Sequence, residues 1–178
     1  MIKTLPFNGN VKIIIGYIPN FQSIQQKLVE VIDLSDDVQK HKTNLKCKMT
    51  DWRIHHSNDT CKHVSEHVKT HIQQHQKKEH RSNHKITVTE FWGAHYTDTG
   101  KAIKHTHYPA LWSGVLYVKL EGQCSPTLFN SCDYEHFPKE GEYIIFPGWL
   151  KHSVKSGSGN RYVCAFNMRA LNIENGRH

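Results

Sequence analysis

The sequence lacks the marks of several common protein classes. It has no CxxC pair and an odd number of cysteines, five, which argues against a disulfide framework and against a cysteine-built zinc site. No apolar run approaches the roughly 18 residues of a membrane helix; the best stretch, Val11 to Ile18, is short and interrupted. Met1-Ile2-Lys3 leads into a strand-like run without an h-region or cleavage site, so no secretory signal is expected. There is no internal repeat and no low-complexity linker. These absences point to a cytoplasmic protein with reduced thiols, Cys124 and Cys132 included although they flank one hairpin loop.

Histidine, in contrast, is abundant, at 15 of 178 residues. A hydrophobic share of 37% with 10% aromatics argues against a wholly disordered chain. The net charge of +7 permits nucleic-acid contact, but none of the usual binding motifs appears, and a solvated basic surface accounts for it. The length suits one domain over residues 1–178, with an N-terminal strand and helices in 1–83 and a β-rich core in 84–170.

The N-terminal part reads as strand, helix, loops, helix. Val11 to Tyr17 is β-branched and short. Phe21, Ile24, Leu28, Val31 and Ile32 recur at helical spacing. Leu34 to Asp59 is polar and mixed, with Trp52 as its anchor to the core. Asp59-Thr60 offers an N-cap for a second helix to about Glu79, on which Val64, Val68 and Ile72 form an apolar stripe. Beside it His63, His67, His71 and His75 repeat at i, i+4, a spacing that can bind metal but here reads as a polar flank, since no carboxylate or cysteine completes a site. Gln73, Gln74, Gln76, Lys77 and Lys78 read as solvent-facing.

After His84 the period changes from 3.6 to 2. Strands are expected at Ile86–Tyr96, Ile103–His107, Ser113–Leu120, Thr127–Asn130, Tyr134–Phe137, Glu142–Phe146, His152–Lys155 and Arg161–Arg169, separated by turn clusters. Short strands joined by turns predict a mainly β (α+β) jelly roll of about eight strands, with the two helices packed on the outer face of one sheet.

The chemistry lies in three segments of this half. His105 and His107 stand at i and i+2, and in a strand they project to one face. His152 follows a tight Pro147-Gly148 turn, and antiparallel pairing can bring it opposite that pair. Three imidazoles leave the other side of a metal open, and imidazole suits Fe(II), Zn, Ni and Cu alike. Arg161 shares a strand face with Val163, Ala165 and Asn167. Turned inward, its guanidinium requires an anion, and its fork suits a carboxylate; turned outward, it is an ordinary surface arginine.

His105-Thr106-His107-Tyr108-Pro109, Ser113 to Val118, Gly141 to His152 and Arg161 to Asn167, in that order and spacing, resemble the 2-oxoglutarate- and Fe(II)-dependent oxygenases common in marine bacteriophages. Lys48-Met49-Thr50-Asp51-Trp52 resembles a further block of that group, so the resemblance spans about residues 45–170. It implies a double-stranded β-helix, the jelly roll above. It also implies Fe(II) held by His105, His107 and His152, with 2-oxoglutarate and O2 as cosubstrates. Arg161 would meet the distal carboxylate, with Tyr117, Tyr96 or Asn167 assisting. The implied activity is hydroxylation of an unidentified small molecule or protein side chain, with decarboxylation of 2-oxoglutarate to succinate. A phage-encoded chain would work in the host cytoplasm, as monomer or homodimer.

Two departures from the wider superfamily stand out. His107 occupies the place of an Asp or Glu ligand, which leaves it either a metal ligand or a neighbour of one. Val163 stands where many members carry the serine that assists the arginine. Two other readings of the same residues remain. One is a cupin-like three-histidine enzyme without 2-oxoglutarate, although no glutamate closely follows the HxH pair and Arg161 favours the oxygenase. The other is a non-catalytic binding module on the same fold.

Overall fold

The computed structural model describes residues 1–6, 10–35, 44–80, 84–97 and 99–171. The first β-strands are β1 (Ile2–Leu5) and β2 (Val11–Tyr17), followed by helix α1 (Gln22–Leu34) and the two-residue strands β3 (Leu45–Lys46) and β4 (Lys48–Met49). A 3-10 turn (Ile54–His56) and helix α2 (Asp59–His80) come next. The rest is strand: β5 (Lys85–Tyr96), β6 (Lys101–His105), β7 (Trp112–Leu120), β8 (Thr127–Phe129), β9 (Tyr134–His136), β10 (Glu142–Pro147), β11 (His152–Val154) and β12 (Arg161–Leu171).

The strands form two antiparallel sheets. Seven make the larger, in the order β1-β2-β10-β7-β12-β5-β4, and five the smaller, in the order β3-β6-β11-β8-β9. Alternation along each central strand sends residues to two different cores. On β12, Tyr162, Cys164, Phe166 and Met168 join the core under the helices, while Val163 joins the core between the sheets. On β10, Tyr143 and Ile145 face the helices, whereas Ile144 and Phe146 face the opposite sheet. The expected arrangement thus forms: both helices cover one face of the large sheet, and the small sheet covers the other.

The helices dock by the stripes that their periodicity announces. Leu28 and Ile32 of α1 and Val64, Val68 and Ile72 of α2 are buried, each contributing about 1.5–3 kcal/mol of transfer free energy. Among the described residues, no helix is long and apolar enough to cross a membrane.

Several local expectations need correction. The cap of α2 is Asn58, whose Oδ1 accepts from the Cys61 amide at 3.0 Å, rather than Asp59-Thr60; an asparagine carbonyl serves the free amides of a first turn well. The loop region after α1 includes two short strands, and β1 adds an unforeseen edge to the large sheet. Gln76 is buried rather than solvent-facing. Of the histidine ladder of α2, His63 stays exposed as a flank residue, while His67, His71 and His75 turn toward the sheet. The Tyr143 hydroxyl bridges His71 Nδ1 at 2.6 Å and His67 Nε2 at 3.3 Å, donating to one ring and accepting from the other, and buried His75 meets Trp112 edge-on. Burial lowers the pKa of both His67 and His71. None of the five cysteines forms a disulfide.

Candidate metal centre

The site begins where β6 and β11 pair. His152, the first residue of β11, lies opposite His105, the last of β6, and their ring centroids are 4.4 Å apart. Strand β6 stops at His105, so His107 does not share a strand face with it. A turn that follows carries it instead. The His107 amide donates to Gly148 O, and the Ala110 amide donates back to His107 O, both at 2.7 Å. Gly148 permits this approach, since a Cβ there would stand 2.1 Å from Ala110 O.

His105, His107 and His152 are the one group of three or more potential ligands gathered among the described residues, with ligand atoms within 4.8 Å of one another. No carboxylate joins them. His105 Nδ1–H donates to Ile103 O at 2.6 Å and His152 Nδ1–H donates to Leu150 O at 3.0 Å. Because a carbonyl can only accept, these bonds fix the tautomers and put a lone pair on both Nε2 atoms. His107 Nε2 lies 3.2 Å from His152 Nε2. Two adjacent ligands with metal–nitrogen bonds of about 2.1 Å at a right angle would hold their donor atoms about 3 Å apart, so this spacing fits an ion between them.

Electrostatics agrees with geometry. Burial, and then the neighbouring rings, push the His107 pKa down to about 2. Burial and His105 push that of His152 down to about 4, against the Leu150 carbonyl. Burial lowers His105 as well. The three rings are therefore neutral at pH 7, which is the form that binds a metal.

The histidines line a narrow cavity of about 50 Å³ between the sheets, whose other lining residues include Trp92, Tyr96, Phe146, Thr127 and Arg161. Arg161 is 4% exposed and forms no ion pair among the described residues. One terminal nitrogen donates to Ser125 O at 2.9 Å and the other to Thr127 Oγ1 at 3.1 Å, while Nε is buried without a partner. The guanidinium carbon lies 5.1 Å from the Tyr117 ring and 5.8 Å from the Tyr96 ring. A buried cation with a spare donor suits a small anion reaching into the cavity.

The other sequence-derived candidates divide. Tyr96 lines the cavity, but its hydroxyl is bonded to Cys47. Tyr117 lies behind the lining, with its hydroxyl 2.9 Å from Thr127 Oγ1. Asn167 is not in this cavity; it lines a neighbouring one on another side of His107. Thr127 escaped sequence reading altogether. It supplies from β8 a hydroxyl beside the arginine that Val163 cannot, and its only sequence signal is its place in a short strand.

No protein-family model matches this sequence, and no curated protein matches it. Solved structures do. The chain superimposes on a viral collagen prolyl hydroxylase from Paramecium bursaria Chlorella virus-1, in its 2-oxoglutarate complex, with a TM-score of 0.69 at 14% identity, covering 89% of this chain and 96% of that one. It likewise matches a Pseudomonas putida prolyl-4-hydroxylase (TM-score 0.62, 13% identity, 88% and 92% covered). A third match is a Trichoplax adhaerens prolyl hydroxylase bound to a hypoxia-inducible-factor peptide (0.63, 16%, 88% and 83%). This chain has the double-stranded β-helix fold of the 2-oxoglutarate- and Fe(II)-dependent oxygenases. At these identities the likeness establishes the fold, and the chemistry rests on the residues themselves.

Proposed function

We propose that the chain is an Fe(II)- and 2-oxoglutarate-dependent oxygenase, in particular a hydroxylase, of the marine-bacteriophage type that its four sequence blocks resemble. The observation that carries this reading is the pairing, in one cavity, of three convergent neutral imidazoles with a buried arginine whose Nε is unpartnered. His105, His107 and His152 would hold the iron, and Arg161 would receive the distal carboxylate of 2-oxoglutarate. Bound there, iron and cosubstrate supply O2 activation: one oxygen atom enters a substrate C–H bond to give an alcohol, and the other enters 2-oxoglutarate, which leaves as succinate and CO2.

The chain's own residues bind, orient and exclude water. The carbonyls of Ile103 and Leu150 hold two rings with Nε2 forward. Ser125 O and Thr127 Oγ1 fix the Arg161 guanidinium in one rotamer, and Tyr117 fixes Thr127. Val115, Phe146, Val154 and Val163 make the cavity wall apolar, which strengthens the charge pairing of Arg161 with a carboxylate. With His107 in place of a carboxylate ligand, the centre would carry one more unit of positive charge than an HxD or HxE site.

The test is turnover. Purified protein supplied with Fe(II), 2-oxoglutarate and O2 should form succinate, and His152→Ala should not. Succinate at the same rate from both proteins would overturn the proposal.

A further inference from the structure

A second cavity, of about 330 Å³, opens beside His107 and is lined by Thr89, Glu90, Asn167, Arg169, Trp52 and Tyr108 among others. Its volume is in the range of small-ligand sites. A β-bulge shapes it. Along β5 and β12 the register shifts between Asn167 and Met168, so that Asn167 pairs with Glu90 while Met168 pairs with Val88. Thr89 is the extra residue. The bulge brings Thr89 and Glu90 to the same cavity, which Asn167 and Arg169, two residues apart on β12, share by the ordinary pleat.

One polar group in this cavity is unanswered, and two charged ones, Glu90 and the exposed Arg169, lack an opposite charge among the described residues. Asn167, 6% exposed, donates its Nδ2–H to the Glu90 carboxylate, and its Oδ1 is buried with no partner. The carboxylate can only accept, so the amide orientation follows from chemistry, and Oδ1 is an acceptor that lacks a donor. Glu90 and Arg169 form no ion pair among the described residues, with each other or with a third group. A buried unsatisfied acceptor costs about 1–3 kcal/mol. A ligand that supplied the donor would recover it.

We infer that this cavity binds a free amino acid, its ammonium on Glu90 and Asn167 Oδ1, its carboxylate on Arg169. A cation alone would satisfy Glu90 and Oδ1 but would be repelled by Arg169; an anion alone would reverse the problem. A zwitterion answers all three groups. Trp52 and Tyr108 provide apolar surface for its carbon skeleton, and His107 at the cavity wall places that skeleton beside the metal centre. As a substrate assignment the inference rests on the oxygenase reading above, whereas the binding itself does not.

The experiment is calorimetric titration of the full chain with each standard free L-amino acid, with and without Mn(II) and 2-oxoglutarate. At least one amino acid should bind, and its N-acetyl derivative and its carboxamide should each bind at least tenfold more weakly. Glu90→Gln and Arg169→Gln should each weaken the free form by a similar factor at an unchanged melting temperature. The blocked derivatives test the idea on unaltered protein should either variant fold poorly. Binding by no amino acid under either condition, or equal binding of free and blocked forms, would overturn the inference. Failure of 2-oxoglutarate itself to bind the Mn(II)-loaded chain would count against the oxygenase reading alone.

Discussion

His105 and His152 face each other across the β6–β11 ladder, and each holds its ring in the same way, donating Nδ1–H to a carbonyl two residues earlier, Ile103 O or Leu150 O. Two strands thus present two Nε2 lone pairs before any metal arrives. His107 completes the group from a turn, and its position depends on backbone contacts at Gly148 and Ala110 rather than on strand pleat.

Removing one imidazole should abolish the centre without unfolding the chain. Outer residues that only orient a ligand are worth 10–100-fold in metal affinity, so His105→Ala or His152→Ala should weaken Mn(II) binding by at least about 100-fold. Mn(II) electron paramagnetic resonance measures this, and circular dichroism should show unchanged secondary structure.

Gly148→Ala tests the turn. Its Cβ would meet Ala110 O at 2.1 Å, so the segment bearing His107 must shift, at a cost of about 1–3 kcal/mol typical of overpacking. A lowered melting temperature together with weaker Mn(II) binding is expected; normal binding would place His107 outside the ligand set.

Thr127→Val removes the hydroxyl between Arg161 and Tyr117 at nearly constant volume. A hydrogen bond to a charged group contributes about 1.5–3 kcal/mol, so 2-oxoglutarate affinity should fall by about tenfold or more. Mn(II) affinity should stay within twofold, as two parallel titrations would show.

Acid should destabilise the metal-free fold. Burial is the leading cause that lowers the pKa of His55, His67, His71 and His136, as it does for the three site histidines. These groups are neutral when folded and protonate near 6.5 when unfolded. Their contribution is therefore fully present above about pH 6.5 and is lost as pH falls toward the folded values. Urea midpoints should drop steadily from pH 7.5 to 5; a flat profile would mean that these rings are not buried neutral.

The sequence discloses what depends on local period and conceals what depends on distant neighbours. Alternation on β12 groups Arg161 with Val163, Ala165 and Asn167 without saying which way that face turns, and helical spacing finds both docking stripes. His107 was reachable as a residue but not as a geometry, because β6 stops at His105. Thr127 lies 34 residues from Arg161, and only the order of strands in the sheets brings the two together. The ladder on α2 shows its period, but the partner that turns it inward, Tyr143, belongs to a strand of the opposite layer. Asn167 shares the face of Arg161 and yet serves a different cavity, since a face on an 11-residue strand extends past one site into the next.

The central claim is that one cavity couples a three-histidine metal centre to an arginine that receives a dicarboxylate. It is tested most directly by titrating 2-oxoglutarate into Mn(II)-loaded protein, unaltered and with Arg161→Ala, with Mn(II) affinity measured in parallel. The predicted result is saturable, metal-dependent binding by the unaltered chain, weakened at least tenfold by the substitution while Mn(II) still binds. Absence of 2-oxoglutarate binding, or binding that Arg161→Ala leaves unchanged, would contradict it.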